Sequence, residues 1–298
     1  MSAITQRQKE EAVWGLCFII PTVAGLVILN IIPIFQTIWQ SFFKVGDFGR
    51  GNMFVGFQNY LSLIQDRQIG RALVNTFAYA ILETPLSILL ALILAIMLNR
   101  KIVGRAFFRT VFFLPMVAAP AAAAMVWRWL YNGSFGLINF LLAKCGISQV
   151  NWISSPDGNT LSIAMVGIWS CLGYNMVLFL AGLQEIPKDY YEAAEIDGAG
   201  IVRQQVIITL PLLSPVIYFV GVTRTIAAMQ VFDLIFMMMD RNNPALPKTQ
   251  SLVYLFYKYS FVENNKGYGA AIVILLLLII LLLTGIQQSI QKNWVHYS

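Results

Sequence analysis

The chain has 298 residues, of which 58% are hydrophobic and 11% charged, against about 25% charged in an ordinary soluble domain. Its mean hydropathy is +0.70. So few charges cannot solvate so much apolar surface, which excludes a disordered chain, a collagen-like fibre, a disulfide scaffold and most soluble enzymes, and leaves a polytopic membrane protein. The net charge of +6 rests on basic residues that flank apolar runs. There they hold loops against anionic headgroups, so nucleic acid is not an expected partner.

Six apolar runs are long enough to span. The first covers about Val13 to Phe43, contains Pro21 and Pro33, and follows the mixed charges Arg7, Lys9, Glu10 and Glu11. It is too long for a signal peptide and lacks a small-residue cleavage site, so it reads as an uncleaved helix reaching about Phe43. The second runs from about Ala72 to Leu98. The third, about Ala106 to Leu130, carries Pro115, Pro120 and the alanine run 121–124. The fourth is Leu161 to Leu183, the fifth Leu212 to Met239, and the sixth Gly269 to Ile286. The expected fold is therefore an all-α membrane protein with six transmembrane helices. No alternating strand series suggests an outer-membrane barrel. Prolines inside spans free backbone groups that neighbouring helices or a wet cavity must satisfy.

An even number of spans puts both termini on one face. Lys and Arg divide equally between the two sides, so the raw count does not orient the chain. Density does: Arg100, Lys101, Arg105 and Arg109 crowd the turn after the second span, without an acid. That turn is assigned to the cytoplasm, and both termini with it.

Chemistry-bearing clusters are scarce. Cys17, Cys145 and Cys171 are irregularly spaced, with free buried thiols as the expected state and neither zinc nor a disulfide framework indicated. The only histidine, His296, lies three residues from the end, so no metal site is expected. There is no Gly-x-x-x-x-Gly-Lys-Ser/Thr loop and no Ser/His/Asp or Cys/His arrangement. The chain reads as a non-enzyme with no phosphate cradle of the P-loop kind.

Polar side chains inside spans are costly and usually face the interior. Asn75, Tyr79 and Glu83 recur four apart on one face of the second span. Asn175 shares a face of the fourth with Cys171, and Thr223, Gln230 and Asp233 share one of the fifth through Ala227. With Trp169 and Arg224 these form a candidate solute path, helix–helix glue being the competing role. Arg224 is deep enough to need a partner, with Glu83 and Asp233 the candidates. Arg128, among Trp127, Trp129 and Tyr131, reads as a snorkelling cation in an aromatic belt.

Residues 184–211, between the fourth and fifth spans, are too polar to cross. Pro187 suits a helix start, Lys188 to Ile196 one short helix, and Gly198 and Gly200 its end. A second turn runs from Ile201 to Thr209 and stops before Pro211. The result is a helix–glycine–helix elbow. Ala193 and Ala194 leave a smooth patch for another protein, and Glu192, Glu195 and Asp197 offer carboxylates.

Glu192-Ala193-Ala194, three residues, Gly198, nine residues, Ile208, one residue, Leu210-Pro211 resembles the EAA signature of the membrane subunits of binding-protein-dependent ABC importers. The segments 178–184 and 195–199, and Phe54 to Tyr60, resemble the carbohydrate-uptake branch. Gly267 to Ala271 resembles the first of the two permeases in such systems. The resemblance implies a type I permease core of five to six helices within residues 72–291. Residues 1–71 would precede it and residues 292–298 would form a cytoplasmic tail. It implies that Glu192, Ala193, Ala194 and Gly198 dock on a cytoplasmic ATPase, while Ile208, Leu210 and Pro211 fix the return into the membrane. The implied partners are a second homologous permease, two ATPase subunits holding ATP and Mg, an extracytoplasmic sugar-binding protein and membrane lipid, with no cofactor on this chain. The implied place is the inner membrane of a prokaryote, and the implied solute a sugar or oligosaccharide. Glycerol phosphate, an acidic oligosaccharide and an ATPase-independent secondary transporter are the alternatives.

Overall fold

The structure is a computed structural model, described here for residues 6–45, 52–100, 102–155 and 159–295. His296, Arg50 and Lys101 lie outside the described residues, as do the side chains of Arg7, Lys9 and Glu10. Packing divides the chain into two units: residues 1–65 with 256–274, and residues 66–255 with 275–298.

In the first unit, α1 (Gln6–Leu26) and α2 (Ile32–Gln40) form one apolar span through a single π turn, Val27–Ile31. That turn lets a proline into a long helix. Ile32 N–H donates five residues back, to Val27 O, and Pro33 then sits where a first helical turn needs no N–H. Trp14, Phe18, Leu29, Phe35 and Trp39 are exposed around this helix, the pattern of a span whose sides meet lipid or another chain. The helix stops at Gln40, short of the expected Phe43, because Phe43 opens a strand. β1 (Phe43–Val45) pairs antiparallel with β2 (Asn52–Phe54). Among the described residues the fold is all-α apart from this small two-stranded ribbon, held where Asn59 of α3 (Gln58–Gln65) donates to Ser41 O at 2.8 Å and Phe43 O at 3.0 Å.

The second unit is built on α4 (Arg67–Asn99), α5 (Arg105–Val117), α6 (Pro120–Leu130), α7 (Leu137–Lys144) and α8 (Thr160–Glu185). After the elbow come α11 (Leu210–Met229) and α12 (Asp233–Met238). Helices α13 (Leu252–Tyr257) and α14 (Lys266–Trp294) are each divided between the units, residues 256–274 belonging to the first. Helix α8 is the centre, and its glycines explain why. A Cβ at Gly167 would overlap Tyr79 of α4; at Gly173, the Phe112 carbonyl of α5; at Gly182, Leu213 and Val216 of α11. Small residues let backbones approach where lipid offers no hydrophobic drive. Around them Ala91, Ala95, Met176, Phe179, Leu213 and Val220 form one buried cluster.

One expected span is broken and another is shifted along the chain. The third bends by 101° between α5 and α6. Ala119 precedes Pro120 and is extended (φ −58°, ψ 131°), since the proline ring disfavours a helical residue before it, and Pro120 then starts α6. The fifth ends at Met229, not Met239: Gln230 and Phe232 leave helical geometry and Asp233 starts α12. In the other direction this span is longer than expected. The turn at Ile201 continues through a π turn, Gln205–Thr209, into α11, and Pro211 sits in that helix's first turn. The sixth span covers Lys266–Lys292, wider than expected at both ends, within a helix that runs to Trp294. Cys17 and Cys145 are exposed, and only Cys171 is the buried thiol expected of all three.

Candidate functional site

Two helices place charge inside the second unit, and a third adds neutral polar groups. Glu83 of α4 has no exposed surface, and its Oε1 pairs with the Arg224 guanidinium of α11, which is 18% exposed. Cys171 of α8 donates its thiol to the same carboxylate at 3.2 Å, Thr84 donates to Oε2 at 3.3 Å, and Asn175 donates to Cys171 Sγ at 3.7 Å. Tyr79 lies one turn before Glu83, both against Gly167. Of the three residues aligned by spacing on the second span, Tyr79 and Glu83 share this place and Asn75 does not; of Arg224's two candidate partners Glu83 is the one it meets. Asn175 Oδ1 and Arg224 Nε are buried without a partner.

The other expected path residues lie elsewhere. Asn75 donates to Gln250 O at 3.1 Å, fastening α4 to the loop before α13. Trp169 packs edge-on to Trp127 with ring centroids 5.5 Å apart. Gln230 and Asp233 are exposed and not on the Arg224 face, because α11 ends between Thr223 and Gln230. Thr84 was missed as a member of the polar cluster, whereas Cys171 had been placed beside Asn175 on one face of the fourth span. Their four-residue spacing was the signal for that placement.

At the end of the unit where α4 and α8 begin, Arg128 pairs with Asp240 beside a hollow of about 180 Å³ lined also by Tyr131, Asn132 and Trp152. Tyr131 stacks on Trp152 and donates to Ser162 O at 3.3 Å. The belt residue Arg128 is thus paired rather than free. A second hollow, about 530 Å³, is lined by Arg67, Arg71, Asn75 and Lys248.

At the opposite end lies the elbow. Helix α9 (Asp189–Ile196) stops where Gly198 takes a left-handed conformation (φ +74°), with Gly198 N–H donating to Glu195 O and Ala199 N–H to Ala194 O. Helix α10 (Ile201–Gln204) follows, and Gln204 donates back to Ala199 O at 3.1 Å. Tyr191 and Thr209 share a hydroxyl hydrogen bond of 2.9 Å, tying α9 to the root of α11. Glu192, Ala193 and Gly198 are exposed, Ala194 half-buried. Ile196 is 87% exposed, with Tyr190, Ile201 and Val202 also outward. Ile208, Leu210 and Pro211 form the half-buried return.

Residues 87–296 match the family described as "Binding-protein-dependent transport system inner membrane component". The chain belongs to that family. This permease is 33% identical over 90% of its length to the trehalose/maltose transport system permease protein MalF of Thermococcus litoralis, covering 90% of it. It is 35% identical over 92% of its length to the sn-glycerol-3-phosphate transport system permease protein UgpA of Agrobacterium fabrum, covering 94% of that chain. A chain from the crystal structure of a bacterial alginate ABC transporter, in complex with alginate pentasaccharide-bound periplasmic protein, shares the fold (TM-score 0.84, 20% identity, 97% of each chain covered). The permease is thus a membrane subunit of an ABC importer, which sets aside a self-sufficient secondary transporter.

Proposed function

We propose that this permease lines part of the path for a neutral sugar or oligosaccharide and is worked by separate ATPases through its elbow. The observation that carries the coupling is the outward display of Ile196, Tyr190, Ile201 and Val202 around left-handed Gly198. Apolar side chains exposed on a polar elbow need a protein cover. Glu192, Ala193, Ala194 and Gly198 dock, and Ile208, Leu210 and Pro211 pass the displacement into α11. The elbow then lies in the cytoplasm with both termini. ATP and Mg belong to the ATPases, and a second permease completes the path. An extracytoplasmic binding protein delivers the solute. Closure of the ATPases around ATP favours one arrangement of the spans over the other, and that difference in affinity drives alternating access.

Charge favours a neutral solute. Arg224 and Arg128, the span arginines suited to an anion, are paired with Glu83 and Asp240, so their charge is internally balanced. Tyr79, Asn175 and Arg224 Nε offer hydroxyl-matching groups. The hollow with Arg67 and Arg71 favours a second reading, glycerol phosphate or an acidic oligosaccharide. Vesicles holding the assembled importer, given labelled trehalose, maltose and glycerol 3-phosphate with their binding proteins, separate the two. ATP-dependent uptake of a neutral sugar is expected; uptake restricted to the phosphate ester rejects the neutral path.

A further inference from the structure

At the elbow end of the second unit, α5 begins at Gly104 (φ +77°) with no side-chain cap on its first amides. Arg105 and Arg109 follow one turn apart and therefore share a face. With the Gln184 amide turned so that its oxygen faces them, that one atom accepts from Arg105 Nη2 at 2.9 Å and from Arg109 Nη2 at 3.1 Å. Gln184 lies in the last turn of α8, five residues before the elbow helix. Two guanidinium groups thus converge on a single neutral oxygen. The Nε of each is buried without a partner, and among the described residues neither arginine forms an ion pair with a carboxylate. Like charges held together without an acid repel, and buried donors without acceptors are costly.

The surroundings say what supplies the missing anion. Val103 is 99% exposed and Phe107 67%, with Phe108 and Val111 also outward on the same helix start. Apolar side chains that flank an arginine pair at the end of an apolar helix in a membrane subunit belong at the headgroup level of a bilayer.

We propose that Arg105, Arg109 and Gln184 form a binding site for the headgroup phosphate of an anionic phospholipid. The guanidinium forks reach the phosphate oxygens, the free amides at the start of α5 face the same charge, and the acyl chains lie along Phe107 and Val111. Bound lipid would brace α5 against α8 at the base of the elbow. The site does not depend on the coupling role, because it is read from binding alone.

The test is native mass spectrometry of the purified importer with phosphatidylglycerol, phosphatidylcholine or inorganic phosphate. Wild type retains phosphatidylglycerol in preference to phosphatidylcholine, whose own cation competes with the arginines, and inorganic phosphate does not displace it. The double variant Arg105→Gln/Arg109→Gln binds phosphatidylglycerol roughly thirtyfold more weakly, on the scale of two interfacial cations, while Arg105→Lys/Arg109→Lys, which keeps the charges but not the planar fork, falls between it and wild type. Equal retention by the glutamine variant, no preference in wild type, or displacement by inorganic phosphate would each overturn the proposal. If the glutamine variant does not assemble, the wild-type preference and the phosphate competition decide alone.

Discussion

Replacing Glu83 with leucine is expected to destabilise the permease by about 3–5 kcal/mol, the scale for removing one partner of a buried ion pair. Arg224 would keep its charge between α4 and α11 with nothing to balance it, and the Cys171 thiol would lose its acceptor. Glu83→Gln should cost less, since an amide oxygen still accepts from the guanidinium. The double variant Glu83→Leu/Arg224→Leu should recover most of the loss, because two apolar side chains remove both charges together. Thermal unfolding midpoints of the three variants in detergent measure this. A double variant no more stable than Glu83→Leu would show that the pair is not the coupled unit described.

The second large effect concerns transport rather than stability. Gly198 has φ +74°, and an added Cβ would meet nothing within the chain. Valine there carries a backbone cost of about 1–3 kcal/mol, confined to an exposed turn, and adds bulk only toward a docking partner. Gly198→Val should therefore leave the chain in the membrane while ATP hydrolysis no longer yields uptake. Hydrolysis and uptake measured on the same vesicles report the ratio directly. An unchanged ratio would remove Gly198 from the coupling path.

Much of this was legible in the sequence for physical reasons. Apolar length marks spans, because lipid demands about 20 residues whatever their packing. A deep arginine demands an acid, and Glu83 was one of two available. The elbow could be read because Pro187 and Gly198 act locally on the backbone. What could not be read was direction. Hydropathy makes 106–130 one run, yet Pro120 forces Ala119 out of the helix and the run folds back on itself. Conversely, Pro211 looked like a stop, and the π turn before it, which needs no special residue, carries the helix through. Gln230 and Asp233 were aligned with Thr223 on the assumption of an unbroken helix, and that alignment failed when α11 ended at Met229. The pairing of Arg105 and Arg109 on Gln184 depends on how α5 crosses α8, at Gly173 and Phe112, a tertiary fact that spacing within one helix does not contain.

The measurement that bears most directly on the account is crosslinking at the elbow. Single cysteines at Glu192, Ala194 and Ile196, in a background lacking the exposed Cys17 and Cys145, would be paired with cysteines scanned over the surface of the ATPase. The account predicts a disulfide to the ATPase from all three positions, with a yield that changes when ATP is bound. Labelling of those cysteines only by a reagent confined to the opposite side of the membrane, with no ATPase adduct, would contradict it.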